Sequence, residues 1–235
     1  MRSEIQKAVR IYYALRVIGA IGFGAIMATY IQFLRAKGLG LVEIHILSAV
    51  FFTTQLLFEV PTGAFADHYG RKNAFVLSCF LLFASKVLYV VAPSFGWFIV
   101  AEFISGCGLA FSTGAMQSWL EDRLKSIQGS RDSELLLRVG SRENMLRSAL
   151  LSLSVLACSR LSEYSLNLPW IVSAFCLFVA TVLSYCLLPP DQHVGSAPAS
   201  AVSSGQHQSV IGRIQGGARV VWLNEVILLM MAMGV

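Results

Sequence analysis

Charge is what this sequence has least of. Of its 235 residues only 13% are Asp, Glu, Lys or Arg, while 56% are hydrophobic and the mean hydropathy is +0.67. A soluble globular chain carries about 25% charged residues. At half that level a folded chain cannot clothe its surface in polar groups, so a water-soluble domain is the first class excluded. Chemistry-bearing patterns are also missing. The cysteines (Cys79, Cys107, Cys158, Cys176, Cys186) lie in apolar runs without a C-x-x-C pair, which argues against a disulfide framework or a zinc site. They read as buried, inert thiols. His45, His68, His193 and His207 are scattered without metal-ligand spacing. There is no H-E-x-x-H, no G-x-S-x-G and no Walker loop. No enzyme activity, metal or cofactor is expected.

What the chain does have is long apolar runs. Six approach the roughly 20 residues needed to cross a bilayer: residues 12–34, 43–65, 74–92, 97–119, 145–162 and 168–188. A seventh opens near 218, and the chain ends inside it. Backbone groups in hydrocarbon must be bonded within their own segment, so the runs are expected to be helices. The fifth is the weakest, diluted by Arg147, Arg160 and several serines. The expected fold is all-α: a polytopic membrane protein with a six-helix bundle over 1–190, a linker over 191–216 and the start of a seventh helix over 217–235. The linker is rich in Ser, Ala and Gly. Its end, "SVIGRIQGGARVVWL", is either plain linker or a segment lying on the membrane surface.

Basic residues sort by side. Arg2, Lys7, Arg10, Arg71, Lys72, Arg123, Lys125, Arg131, Arg138, Arg142, Arg147, Arg213 and Arg219 fall on one side; only Arg35, Lys37 and Arg160 fall on the other. Positive residues stay in the cytoplasm, so the N-terminus is expected to be cytoplasmic, in a multi-pass protein of the cell (inner) membrane. The net charge of +5 then reports basic loops and calls for no nucleic acid. The first run is no signal peptide, being too long and interrupted by Arg16.

The most specific stretch joins the second and third runs: Gly63-Ala64-Phe65-Ala66-Asp67-His68-Tyr69-Gly70-Arg71-Lys72. It resembles the major facilitator superfamily signature Gly-x-Leu-Ala-Asp-Arg-x-Gly-Arg-Lys, with Phe65 for Leu and His68 for Arg. "EVPTG" (59–63) and "AFSTGAMQSWLEDRLK" (110–125) resemble a bacterial branch of that superfamily often associated with efflux. The likeness covers about the first 190 residues. It implies that Asp67 latches contacts between the two halves of a transporter, with Arg71 as its intramolecular partner, and that Arg71 and Lys72 hold the turn in the cytoplasm. Gly63 and Gly70 are expected to allow a tight turn and close helix approach, and Pro61 to loosen the last turn of the second helix.

Four ionisable residues fall within apolar runs: Arg16, Glu59, Lys86 and Glu102. Such groups usually mark a pair or a pathway. At about 1.5 Å per residue, Lys86 and Glu102 fall at similar depth near one end of the bundle, and Arg16 and Glu59 at similar depth near the other. Two ion pairs are expected, with snorkelling as the alternative for Arg16. Burial would raise the pKa of Glu59 or Glu102 toward proton coupling and an ion pair would pull it the other way, so the sequence leaves a coupling role open. Glycines at 19, 22, 24, 106, 108 and 114 suit close helix contact or a cavity wall.

Two features depart from drug/proton members of the superfamily. Glu102 and Ser105 stand where those members often carry Arg and Gln, and the fifth run lacks their Gly-Pro signature. Superfamily members usually have twelve helices, with the solute site between two six-helix halves. The resemblance implies a secondary transporter moving a small solute, drug-like efflux being one form, with the lipid bilayer, the solute and a second half or a second copy of the chain as partners. The alternatives are a half-transporter inactive by itself and a membrane scaffold.

Overall fold

The computed structural model describes residues 2–128 and 133–189. The expected linker and seventh helix lie outside them. The described residues form eight helices: α1 (Arg2–Met27), α2 (Tyr30–Ala36), α3 (Leu41–Tyr69), α4 (Arg71–Val91), α5 (Phe95–Ser112), α6 (Ala115–Gln128), α7 (Ser133–Leu161) and α8 (Leu168–Leu187). The first and fourth runs are each broken in two. After α5 the chain turns at Gly114, whose φ of +75° lies in the left-handed region that side-chain-bearing residues avoid.

Five spans among the described residues are long and apolar enough to cross a membrane: Ser3–Met27, Leu41–Tyr69, Arg71–Val91, Phe95–Ile127 (α5 with most of α6) and Leu168–Leu187. The exception is α7, the fifth run. Its 29 residues are about 44 Å long at 1.5 Å per residue, more than enough to span. Its many polar residues lower its hydropathy; Glu143 and Ser154 face α1, whereas Arg142, Asn144, Ser148, Ser152 and Arg160 are exposed. The outward surface is as apolar as a core: Val42 is 73% exposed, Leu56 70% and Phe175 66%. Water would not tolerate such a surface; hydrocarbon requires it. The protein is an all-α, multi-pass membrane protein.

Two helix pairs associate by close backbone approach at a glycine, as expected where lipid competes for apolar surface. A Cβ at Gly106 of α5 would lie 2.7 Å from the Phe51 carbonyl oxygen and 2.9 Å from Thr54 Cβ of α3. The same contact recurs between α1 and α7: a Cβ at Gly24 would lie 2.8 Å from the Leu151 carbonyl oxygen and 2.9 Å from Ser154 Cβ. In both seams a glycine meets a carbonyl and, three residues on, a small hydroxyl side chain. Ser154 Oγ also donates to the Ile21 carbonyl at 2.7 Å. Close packing is thus the use of these two glycines. Gly19 instead lines a cavity.

Two buried clusters form the bundle's interior. One, near the Gly70 end, gathers Tyr12, Leu15, Phe75, Trp119 and Leu124. The other, toward the opposite end, gathers Phe33, Leu47, Tyr89, Phe98 and Trp170. Residues from both line the cavity.

Candidate functional site

The cavity holds about 510 Å³ and draws its walls from α1–α5, α7 and α8. Most of the wall is apolar, including Phe23, Phe51, Phe52 and Leu177. The charged side chains on it are Arg16, Lys86, Glu102 and Arg147. Between Glu102 and Ser112 the wall follows α5 for about 15 Å.

Lys86 and Glu102 are 9% and 5% exposed. The Lys86 ammonium donates to Ser105 Oγ at 3.3 Å and lies 5.6 Å from the Tyr89 ring and 5.7 Å from the Trp170 ring. Such ring faces partly replace the hydration a buried cation has lost. The Glu102 carboxylate is claimed by tyrosines: Tyr30 donates at 2.7 Å, and Tyr89 donates to the same oxygen. Tyr30 reaches it because the break after α1 gives α2 a fresh start at residue 30. Trp170 stacks on Tyr89, with centroids 4.2 Å apart, and fixes that ring. Close by on α8, the fully buried Ser173 Oγ finds no hydrogen-bond partner among the described residues, nor does Trp170 Nε1.

The expected pairs therefore need correction. Lys86 and Glu102 do share one cavity wall, but among the described residues no ion pair of 4 Å or less joins them. A serine and two tyrosines are their nearest polar partners. Arg16 pairs with Glu143 of α7, Nε to Oε1 at 2.8 Å, and not with Glu59. Glu59 lies on the exposed face of α3, and its carboxylate meets no partner among the described residues. Glu143 escapes the sequence reading because it sits in a charged stretch that reads as a loop. Yet Leu135, Leu136, Val139 and Glu143 recur at helical spacing, a signal that α7 begins well before residue 145. Tyr13 confirms that register by donating to the Val139 carbonyl at 3.2 Å.

At the signature turn, α3 ends at Tyr69 and α4 starts at Arg71, with Gly70 between them at φ +94°. That backbone conformation is strained for any side-chain-bearing residue. Asp67 is 3.7 Å from Arg71, one helical turn on. The shorter bond of Arg71 is to Asp122 of α6, at 2.9 Å. Asp122 belongs to the "SWLEDRLK" stretch, so the two family-like segments meet here. Lys72 lies 5.7 Å from the Tyr185 ring of α8. Gly63 departs from expectation. It sits inside a continuous α3, where a Cβ would meet nothing within 4 Å, so it makes neither a turn nor a close approach among the described residues. Pro61 likewise leaves α3 unbroken. Thr62 follows it and donates across to the Ala110 carbonyl of α5 at 3.2 Å.

Comparison with known proteins gives the same picture. The family model for the Major Facilitator Superfamily matches residues 13–235. An uncharacterized MFS-type transporter, YxaM of Bacillus subtilis (strain 168), is 26% identical over 110 residues, which is 47% of this chain and 28% of that protein. An uncharacterized transporter of Buchnera aphidicola subsp. Schizaphis graminum is 26% identical over 121 residues, 50% of this chain and 30% of that protein. The matches thus span less than a third of these relatives. Among solved structures, the human organic anion transporter MFSD10 (TETRAN) superposes with a TM-score of 0.58 at 14% identity, over 81% of this chain and 49% of that one. That likeness shows the fold alone. An all-helical bundle with an apolar exterior, the Gly70–Arg71 turn and a family match over most of the chain have one conclusion: this protein belongs to the Major Facilitator Superfamily, a family of membrane transporters.

Proposed function

We propose that this chain supplies the N-terminal bundle of a secondary transporter that moves a small solute through the cavity by alternating access. The observation that carries this reading is the cavity itself. Charged and hydroxyl side chains line about 510 Å³ inside an otherwise apolar bundle, and buried charge is costly enough in a membrane that it usually marks a path. The walls are completed by a second six-helix bundle, on this polypeptide or another copy. Asp67 acts as the latch: its side chain is 75% exposed, which leaves it open to such a partner. The surface around Gly63 is equally open. The basic Gly70 end faces the cytoplasm of a cell whose inner membrane holds the protein, by the positive-inside argument. Outward movement is the direction suggested by the "EVPTG" resemblance. The Glu102 site offers a carboxylate within the path, a position suited to proton coupling.

The test is access of water to the cavity. In a chain with its native cysteines replaced by alanine, Ser105→Cys should react with a membrane-impermeant thiol reagent from one side of the membrane. With a second bundle assembled, it should become reactive from either side. A cysteine that reacts from neither side would leave a scaffold as the better reading.

A further inference from the structure

We infer that the Lys86 end of the cavity is an anion site, and that the solute it takes is a small amphipathic acid: one carboxylate or similar anionic head on an aromatic or otherwise apolar body. The inference rests on the transport reading for its biological sense, and on charge accounting for its chemistry. Of the four charged groups facing the cavity, two are already satisfied. Arg16 is held by Glu143, and the Glu102 carboxylate accepts two tyrosine hydroxyls. Lys86 has no ion pair. It has three N–H donors, one directed at Ser105, and no carboxylate within 4 Å among the described residues. Glu102 acts on it only at longer range, and with Arg147 on the same wall the groups outside the Arg16–Glu143 pair sum to one positive charge. Arg147 also faces the cavity without an ion-pair partner among them.

A buried ammonium with spare donors is costly, and an incoming anion would lower that cost by pairing with it. The unpartnered Ser173 Oγ is a second, independent sign. The hydroxyl is fully buried, on a residue that lines the same cavity. It lies one helical turn from Trp170, over whose ring the Lys86 ammonium sits. A carboxylate there would accept from Lys86 and Ser173 together. An ammonium ligand would meet Lys86 as a like charge and find Glu102 already occupied. The rest of the wall, Phe23, Phe51, Phe52 and Leu177, gives an apolar body its surroundings. An anionic lipid headgroup shares the recognised chemistry, so the experiment must separate it from a dissolved acid.

The probes are 2-naphthoate and 2-naphthylmethylammonium, of like shape and opposite charge at pH 7. They are titrated into the purified chain in phosphatidylcholine nanodiscs. The expected result is at least tenfold tighter binding of the naphthoate. Lys86→Met should abolish that preference, Lys86→Arg should keep it, and Ser173→Ala should weaken naphthoate binding severalfold. The charge preference of the unaltered chain decides the matter even if Lys86→Met fails to fold. Equal binding, preference for the ammonium probe, no binding of either, or a preference indifferent to Lys86→Met would each overturn the anion site. Loss of naphthoate binding in phosphatidylglycerol nanodiscs would assign the site to a lipid headgroup and overturn the dissolved solute. A charge-selective site beside a Ser105→Cys thiol that stays shielded from both sides would keep this inference and remove the transport reading. The reverse result would do the opposite.

Discussion

Arg16 of α1 and Glu143 of α7 close an ion pair of 2.8 Å between residues 127 positions apart in sequence. The carboxylate side chain is 6% exposed and the guanidinium side chain 31%. Removing Arg16 leaves a nearly buried carboxylate uncompensated and removing Glu143 leaves a part-exposed guanidinium so, and either costs more than the pair contributes relative to a nonpolar replacement. Glu143→Ala should therefore lower stability by about 1–3 kcal/mol, discounted for the part-exposed guanidinium. The double variant Arg16→Met with Glu143→Met should recover most of the loss. Thermal unfolding in detergent measures both. A double variant no better than the worse single one would show that the pair is not the unit that matters.

The glycine seams make a steric prediction. Gly106→Leu and Gly24→Leu must push backbone away from backbone, and overpacking of this kind costs about 1–3 kcal/mol or more. Gly63→Ala has open space around it and removes a glycine from a helix interior, so stability should hold or rise by up to about 1 kcal/mol. The comparison within one set of melting curves tests whether these glycines differ as their surroundings do.

Asp67→Asn should leave the melting temperature of the chain nearly unchanged. Its contact to Arg71 is long and solvent-exposed, and such pairs contribute about 0–1 kcal/mol. If Asp67 is the latch, solute movement by the assembled transporter should fall severalfold at unchanged membrane level. Full transport by the variant would remove that role.

Orientation can be checked by labelling single cysteines in a cysteine-free background. Tyr164, 85% exposed beyond α7, lies at the end opposite the Gly70 turn. Tyr164→Cys should react with an impermeant reagent added outside the cell, whereas Arg138→Cys should not. Reversal of that pattern would invert the topology.

Much of the architecture was legible because hydrophobic length and positive charge are read residue by residue. The runs, the Gly70 turn and the shared depth of Lys86 and Glu102 follow from such local counting. Partner choice does not. Which helix face meets which neighbour depends on close approach at points such as Gly24 and Gly106, and no single segment encodes it. So Arg16 was matched to Glu59 by depth, while the fold delivers Glu143, hidden in a stretch too polar to read as helix. The tyrosines on Glu102 were invisible for another reason: Tyr30 and Tyr89 look like ordinary core aromatics until their hydroxyls are seen to converge. Asp122 stands in a family-like stretch, yet its contact with Arg71 depends on the packing of α6 beside α4.

The paired seams at Gly24 and Gly106 have a mechanical consequence. Elsewhere, neighbouring helices interlock, and axial slip must lift side chains out of grooves. Where bare backbone rides on a carbonyl and a small hydroxyl residue, no large side chain stands in the way, so resistance to shear falls to the polar locks beside each seam: Arg16–Glu143 and Ser154–Ile21 between α1 and α7, and Thr62–Ala110 between α3 and α5. Each helix pair thus carries a smooth backbone track beside a breakable polar contact, and those few contacts set how firmly the rods are held in register.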